Sequence, residues 1–169
     1  MSFDENAEVC VENNEFLRIS DISESDNVLV YNINNLRWSK KNNKQPTGAP
    51  YKIKHVQRFP QKKASHKIGI IEQDAFGNNI PNLRTYLSLA NHIYHPRTLK
   101  STRVEHLPFI KINDDQNINV LFSVYIKELD KYILNVNGLY VSHRSHTQRY
   151  TLNKYKEQDI NDLIKSVEL

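Results

Sequence analysis

An α+β protein is what this sequence predicts: antiparallel sheets with two short amphipathic helices, arranged as two βββα units. Three observations carry that expectation. Short runs rich in Val, Ile, Tyr and Phe recur between clusters of Asn, Asp, Gly and Pro. Leu83, Tyr86, Leu87 and Ala90 stand at the spacing of a helix face, and so do Ile160, Leu163, Ile164 and Val167 near the C-terminus. Residues 36–93 read strand, strand, strand, helix, and residues 107–168 read much the same way.

Taken in order, residues 28–33 (Val-Leu-Val-Tyr-Asn-Ile) are β-rich and bounded by Asp and Asn, which predicts a strand. Leu36 to Lys41 extends it as an edge strand, and the stretch from Asn42 to Pro50, with Pro46, Gly48 and Pro50, is a loop. Tyr51 to Phe59 alternates, so Tyr51, Ile53, His55, Gln57 and Phe59 face one way and Lys52, Lys54, Val56 and Arg58 the other. Pro60 breaks that strand. Residues 67–72 form the next one, closing at a turn where Gly77 and its Asn neighbours accept positive φ. Pro81 suits a first helical turn, and His95-Pro96 ends the helix. Strands resume at 107–112, 118–126 and 132–141, the last interrupted at Gly138, with a short strand at 149–152. Glu157 and Asp159 open the closing helix, where the dipole favours negative charge.

The expected organisation is an acidic N-terminal arm over 1–27, a first βββα lobe with a basic loop over 28–96, and a second β-rich lobe with the C-terminal helix over 97–169. Charge is segregated along it. Residues 1–26 carry eight acids against Arg18 alone, while the whole chain has a net charge of +4. The run from Arg37 to Lys67 contains ten Lys and Arg and no acid, interleaved with Trp38, Tyr51, His55, Phe59 and His66. Cations interleaved with flat rings suit a phosphate backbone and base faces, and equally a solvated surface.

The candidate nucleic-acid contacts are therefore Arg37, Trp38, Lys40, Lys41, Lys44, Lys52, Lys54, Arg58, Lys62 and Lys63, joined by Arg144, Arg149 and Lys154 from a second acid-free stretch over 139–156. His92 with His95, and His143 with His146, share a three-residue spacing. The lone Cys10 lies near neither pair, so no metal is expected. His143 and His146 are the acid and base to expect only if the chain cleaves RNA. No Walker loop, dinucleotide fingerprint or nucleophile elbow occurs, and no cofactor is expected. No apolar run reaches the length of a membrane span, no signal pattern opens the chain, and the single Cys fits a reducing cytoplasm.

Two resemblances accompany these readings. The segment Leu36-Arg37-Trp38-Ser39-Lys40-Lys41-Asn42-Asn43-Lys44, with Tyr150-Thr151-Leu152-Asn153-Lys154-Tyr155 before the closing helix, resembles APETALA-type and integrase arm-type DNA-binding domains of phages and mobile elements. That likeness implies a three-stranded sheet laid on the major groove. Leu107-Pro108-Phe109-Ile110, Leu121-Phe122 and Asn137-Gly138-Leu139 look similar to the C-terminal domain of the type I-F CRISPR repeat-processing endoribonuclease, which implies RNA binding. The function expected is a non-catalytic nucleic-acid-binding protein, its partner DNA, RNA or an acidic protein surface. The alternatives are an inhibitor or subunit of a nucleic-acid-handling complex such as a CRISPR effector, and the endoribonuclease itself.

Overall fold

The computed structural model describes residues 3–38, 45–60, 68–74, 77–79, 85–107, 111–113 and 120–144. They fold into fourteen strands: β1 (Phe3–Asp4), β2 (Glu8–Val11), β3 (Glu15–Arg18), β4 (Asn27–Tyr31), β5 (Ala49–Lys52), β6 (His55–Pro60), β7 (Ile68–Ile71), β8 (Thr85–Ser88), β9 (His92–Tyr94), β10 (Ser101–Arg103), β11 (Lys111–Asn113), β12 (Val120–Tyr125), β13 (Lys131–Val136) and β14 (Leu139–Arg144). Every strand pair among them is antiparallel. One sheet has the order β11-β7-β8-β1-β12-β6. The other has eight strands, running β10-β9-β14-β13-β2-β4-β5 with β3 attached to β2.

The two sheets share one core. Phe3, Ile71, Leu87, Phe122 and Val124 from the six-stranded sheet meet Val9, Val28, Leu134, Val136 and Val141 from the eight-stranded sheet. The chain changes sheets early. Ala7 donates its N–H to the Asp4 carbonyl at 3.0 Å, a turn that ends β1 in one sheet and starts β2 in the other. It changes sheets again at Ile53, a fully buried residue between β5, which pairs with β4, and β6, which pairs with β12. On its far face the eight-stranded sheet carries a second, smaller cluster of Cys10, Leu29, Tyr31, Leu36, Ile133 and Tyr140.

This architecture corrects the α+β expectation. Among the described residues the only helical segments are three 3-10 turns, at Glu12–Asn14, Ile19–Asp21 and Val104–His106. The helix expected after Pro81 is instead β8 and β9. Thr85 and Leu87 are both buried, the period-two pattern of a strand, and β8 finds partners on both sides in β7 and β1. Four apolar residues at helical spacing did not outweigh that double pairing. The two βββα units go with the helix, since strands from both halves alternate within each sheet. The closing helix and the strand at 149–152 lie outside the described residues.

Other expectations fall into place with adjusted bounds. The 28–33 strand is β4, and the 67–72 strand is β7. The long strand expected over Tyr132 to Val141 is a hairpin. Asn137 (φ 52°) and Gly138 (φ 86°) turn the chain so that Val136 pairs with Leu139. Two consecutive residues with positive φ between paired strands are the two-residue connection whose twist matches a hairpin.

Candidate functional site

The fold brings polar groups together inside the core. β14 ends with Ser142, His143 and Arg144, and alternation sends His143 inward and Ser142 outward. His143 is fully buried, its ring centroid 4.7 Å from that of Phe3 and 5.5 Å from that of Tyr132. The Val124 N–H donates to His143 Nε2 at 3.1 Å, and Ser123 Oγ lies 3.2 Å from the same nitrogen. The Val124 carbonyl also lies 3.2 Å from Nε2, so this one ring nitrogen meets both polar groups of the Val124 backbone. The Tyr132 hydroxyl donates to the Val124 carbonyl, and burial holds the Tyr132 phenol far above its ordinary pKa. It stays a donor.

Asn91 completes this inner row. Continuing the β9–β14 register by two residues sets Asn91 opposite His143, and Val104 donates its N–H to the Asn91 carbonyl at 2.8 Å from the other side. The Asn91 side chain is fully buried, and its amide has no hydrogen-bond partner among the described residues. An unsatisfied buried amide costs about 1–3 kcal/mol, which makes it an anomaly that stability does not explain. Asp4, next to Phe3 on β1, is nearly buried, and desolvation raises its pKa.

A second row faces outward. Arg103 pairs with His92 across β10–β9, and the His92 N–H donates to Ser142 Oγ at 3.3 Å. The His92 pKa is lowered, first by burial and then by Lys131, Arg103 and His106. Beyond it opens a cleft of about 350 Å³ over Tyr31, Tyr51, Tyr94, Ile133, Lys131 and Ser142.

The residues expected at the site are scattered. Arg37, Lys52, Lys54 and Arg58 are exposed, but Lys52 lies on an edge strand of one sheet and Arg58 on an edge strand of the other. The alternation that set them on one face breaks at Ile53, where the chain changes sheets. Trp38 is stacked under Arg97, whose guanidinium carbon sits 4.2 Å from the ring centroid. Arg144 donates to Asp130 through Nη2 at 2.7 Å and Nε at 3.3 Å, and that bond raises its pKa. Lys40, Lys41, Lys44, Lys62, Lys63, His146, Arg149 and Lys154 lie outside the described residues. No group of three or more metal-ligating side chains occurs among the described residues.

Sequence reasoning singled out His143 but missed the groups around it. Ser123 stood as a lone hydroxyl in the apolar run Leu121-Phe122-Ser123-Val124, and Asn91 as a polar residue between Ala90 and the His92-Ile93 pair. Those were usable signals. Phe3 carried none, because its partner in the site is 140 positions away in sequence and the two meet only in the finished fold.

No protein-family model matches the sequence, and a search of curated proteins finds no match. Solved structures do resemble the fold. A crystal structure of a mutant Ssp DnaB mini-intein superposes with a TM-score of 0.52 at 8% identity, covering 87% of this chain and 95% of that chain. A DnaB intein from Synechocystis sp. PCC 6803 gives 0.47 at 12% identity, over 85% of this chain and 98% of that one. A glutathione-linked, splice-inactive variant of the AceL NrdHF class 3 split intein gives 0.46 at 13%, again over 85% and 98%. The first of these establishes an intein-like fold.

That likeness overturns the functional expectation. The fold is neither a groove-binding three-stranded sheet braced by a helix nor the CRISPR endoribonuclease domain, and nothing supports DNA binding, RNA binding, a role as inhibitor or subunit of a nucleic-acid-handling complex, or a phage or CRISPR connection. Physically, the basic island is divided between two sheets, and a histidine with no exposed surface cannot reach a ribose hydroxyl. No helix among the described residues is long and apolar enough to cross a membrane.

Proposed function

We propose that this chain is an intein-type domain that acts on its own polypeptide, rearranging the peptide bond on the N-terminal side of Ser2. The observation that carries this reading is Phe3. It belongs to β1 and its ring packs against His143 in the core, so the buried polar row lies against the protein's own β1, one residue from Ser2 in sequence. An external substrate would need a path that full burial denies.

The reaction follows from the residues at hand. The Ser2 hydroxyl attacks the carbonyl carbon of the preceding residue, the C–N bond breaks, and an ester replaces the amide. The hydroxyl proton is conserved, because the departing amine gains one proton as the oxygen loses one. The buried His143 imidazole supplies a proton to the departing nitrogen and recovers one from the hydroxyl. The Asn91 amide, buried and not otherwise satisfied among the described residues, is suited to the negative charge that develops on the carbonyl oxygen.

The test is a carrier domain fused directly before Ser2, treated with hydroxylamine and followed by intact mass. Release of the carrier as a hydroxamate is expected, with loss of release in Ser2→Ala and thiol-sensitive release in Ser2→Cys. A folded fusion that releases nothing from either the Ser or the Cys form overturns the proposal.

A further inference from the structure

The imidazole of His143 sits at a contact that can be made in two ways. A strand residue points its N–H and its C=O to the same side, and Val124 presents both to His143 Nε2, its nitrogen at 3.1 Å and its oxygen at 3.2 Å. A bare Nε2 accepts from the N–H and meets the lone pairs of the carbonyl. A protonated Nε2 donates to the carbonyl and meets the N–H head-on. Each arrangement gains one contact and suffers the other. Ser123 Oγ, at 3.2 Å, can donate or accept and so favours neither. What separates the two is whatever else the Val124 carbonyl bonds.

That carbonyl is held by Tyr132. The residue stands opposite His143 across β13–β14 and is 4% exposed. Its ring lies edge-on to the imidazole at 5.5 Å, and its hydroxyl donates to the Val124 oxygen. Burial keeps the phenol protonated, so the donation persists. The described residues of β1 pair with β12 as far as Phe122, and two residues further on, at Val124, side chains from β13 and β14 meet the strand's polar edge instead. The carbonyl oxygen has a second lone pair, so the hydroxyl does not bar an Nε2–H. It lowers what that bond is worth, and it draws off charge that would repel a bare nitrogen.

We propose that Tyr132 is a positioning residue: its hydroxyl satisfies the Val124 carbonyl and thereby keeps His143 Nε2 an acceptor, so that the neutral ring carries its exchangeable proton on Nδ1. The consequence for peptide-bond rearrangement rests on the reading given above, whereas the choice of nitrogen belongs to the folded chain by itself. Without the hydroxyl a buried carbonyl is left short of a donor, and Nε2–H is the group in reach to supply one.

NMR of the full chain labelled with 15N-histidine tests this, because bare and protonated imidazole nitrogens resonate far apart. In the native protein Nε2 is expected to be bare and to show coupling to the Val124 amide nitrogen across the hydrogen bond. Tyr132→Phe keeps the ring, and it is expected to raise the ratio of Nε2–H to Nδ1–H about fivefold, the factor one ordinary hydrogen bond is worth. In a fusion with a carrier before Ser2, the same variant is expected to slow hydroxylamine-dependent release by about the same factor. Val28→Ala, a truncation of the shared core on β4, is expected to lower stability in urea and leave the nitrogen signals as they are, which is also what a merely structural Tyr132 would do. A native His143 protonated at Nε2 overturns the proposal, and so does a Tyr132→Phe protein whose His143 nitrogens match the native ones. Absence of release from the native fusion overturns the reading of the reaction, and the nitrogen signals then decide on Tyr132 alone.

Discussion

Asn91 is where stability and function separate at the level of a single side chain. Its amide is buried with neither oxygen nor nitrogen satisfied among the described residues, whereas a leucine of similar volume would bring no unmet hydrogen bond. Asn91→Leu is therefore expected to stabilise the protein by about 1–2 kcal/mol in urea unfolding and to suppress hydroxylamine-dependent release of an N-terminal carrier. A destabilised Asn91→Leu protein would mean that the amide has a structural duty. Cys10 is the contrasting case. It is the chain's single thiol, yet it sits in the outer cluster beside Tyr31 with its pKa raised by burial, and a thiol that resists ionisation is a poor nucleophile.

Among elements, the β13–β14 hairpin does most to build the site. It carries Tyr132 and His143 as a cross-strand pair, and its register depends on the turn at Asn137-Gly138. The turn is anchored on both sides: Asn137 donates its backbone N–H to the Glu8 carbonyl at 2.9 Å, and Gly138 donates to Asn135 Oδ1 at 2.9 Å. A Cβ on Gly138 would meet nothing within 4 Å, so the cost of a side chain there is conformational only. Gly138→Ala is expected to lower stability by about 1–2 kcal/mol through its φ of 86°, and Gly138→Asn by less, both read from chemical denaturation. Gly48 obeys the opposite logic. A Cβ there would come within 2.8 Å of the Leu29 Cβ, a steric demand with no positive φ involved.

At the scale of the molecule, β1 joins two groups of strands that, among the described residues, do not otherwise pair. In the order β11-β7-β8-β1-β12-β6, removing Phe3 and Asp4 leaves β11-β7-β8 on one side and β12-β6 on the other. A chain lacking residues 1–4 is expected to lose hydrogen-exchange protection in β7 and β8 while the β13–β14 hairpin keeps most of its own, as measured by exchange mass spectrometry. Retained protection throughout would show that the shared core alone holds the sheet.

How much of this was legible in the sequence depends on distance along the chain. β4 and β7 announced themselves through local β-rich runs and flanking turn residues, whereas the β-rich run over Tyr132 to Val141 read as one strand and its turn at Asn137-Gly138 went unread. What sequence reasoning could not supply was long-range pairing. Leu83 to Ala90 read as a helix because the partners that make Thr85 to Ser88 a strand lie at Ile68–Ile71 and at Phe3. The basic alternation over Tyr51 to Phe59 was read as one face because nothing local marks Ile53 as a crossing between sheets. His143 was noticed for its charge chemistry, and its burial against Phe3, Ser123 and Tyr132 emerged only from the fold.

The short N-terminal strand also sets the timing of assembly. Synthesis delivers Phe3 well over a hundred residues before the strand holding its partner Phe122. Until then β1 has at most one neighbour, and His143 does not yet exist to close the buried row. The buried row around His143 is thus completed only after the residues between Phe3 and His143 have been made.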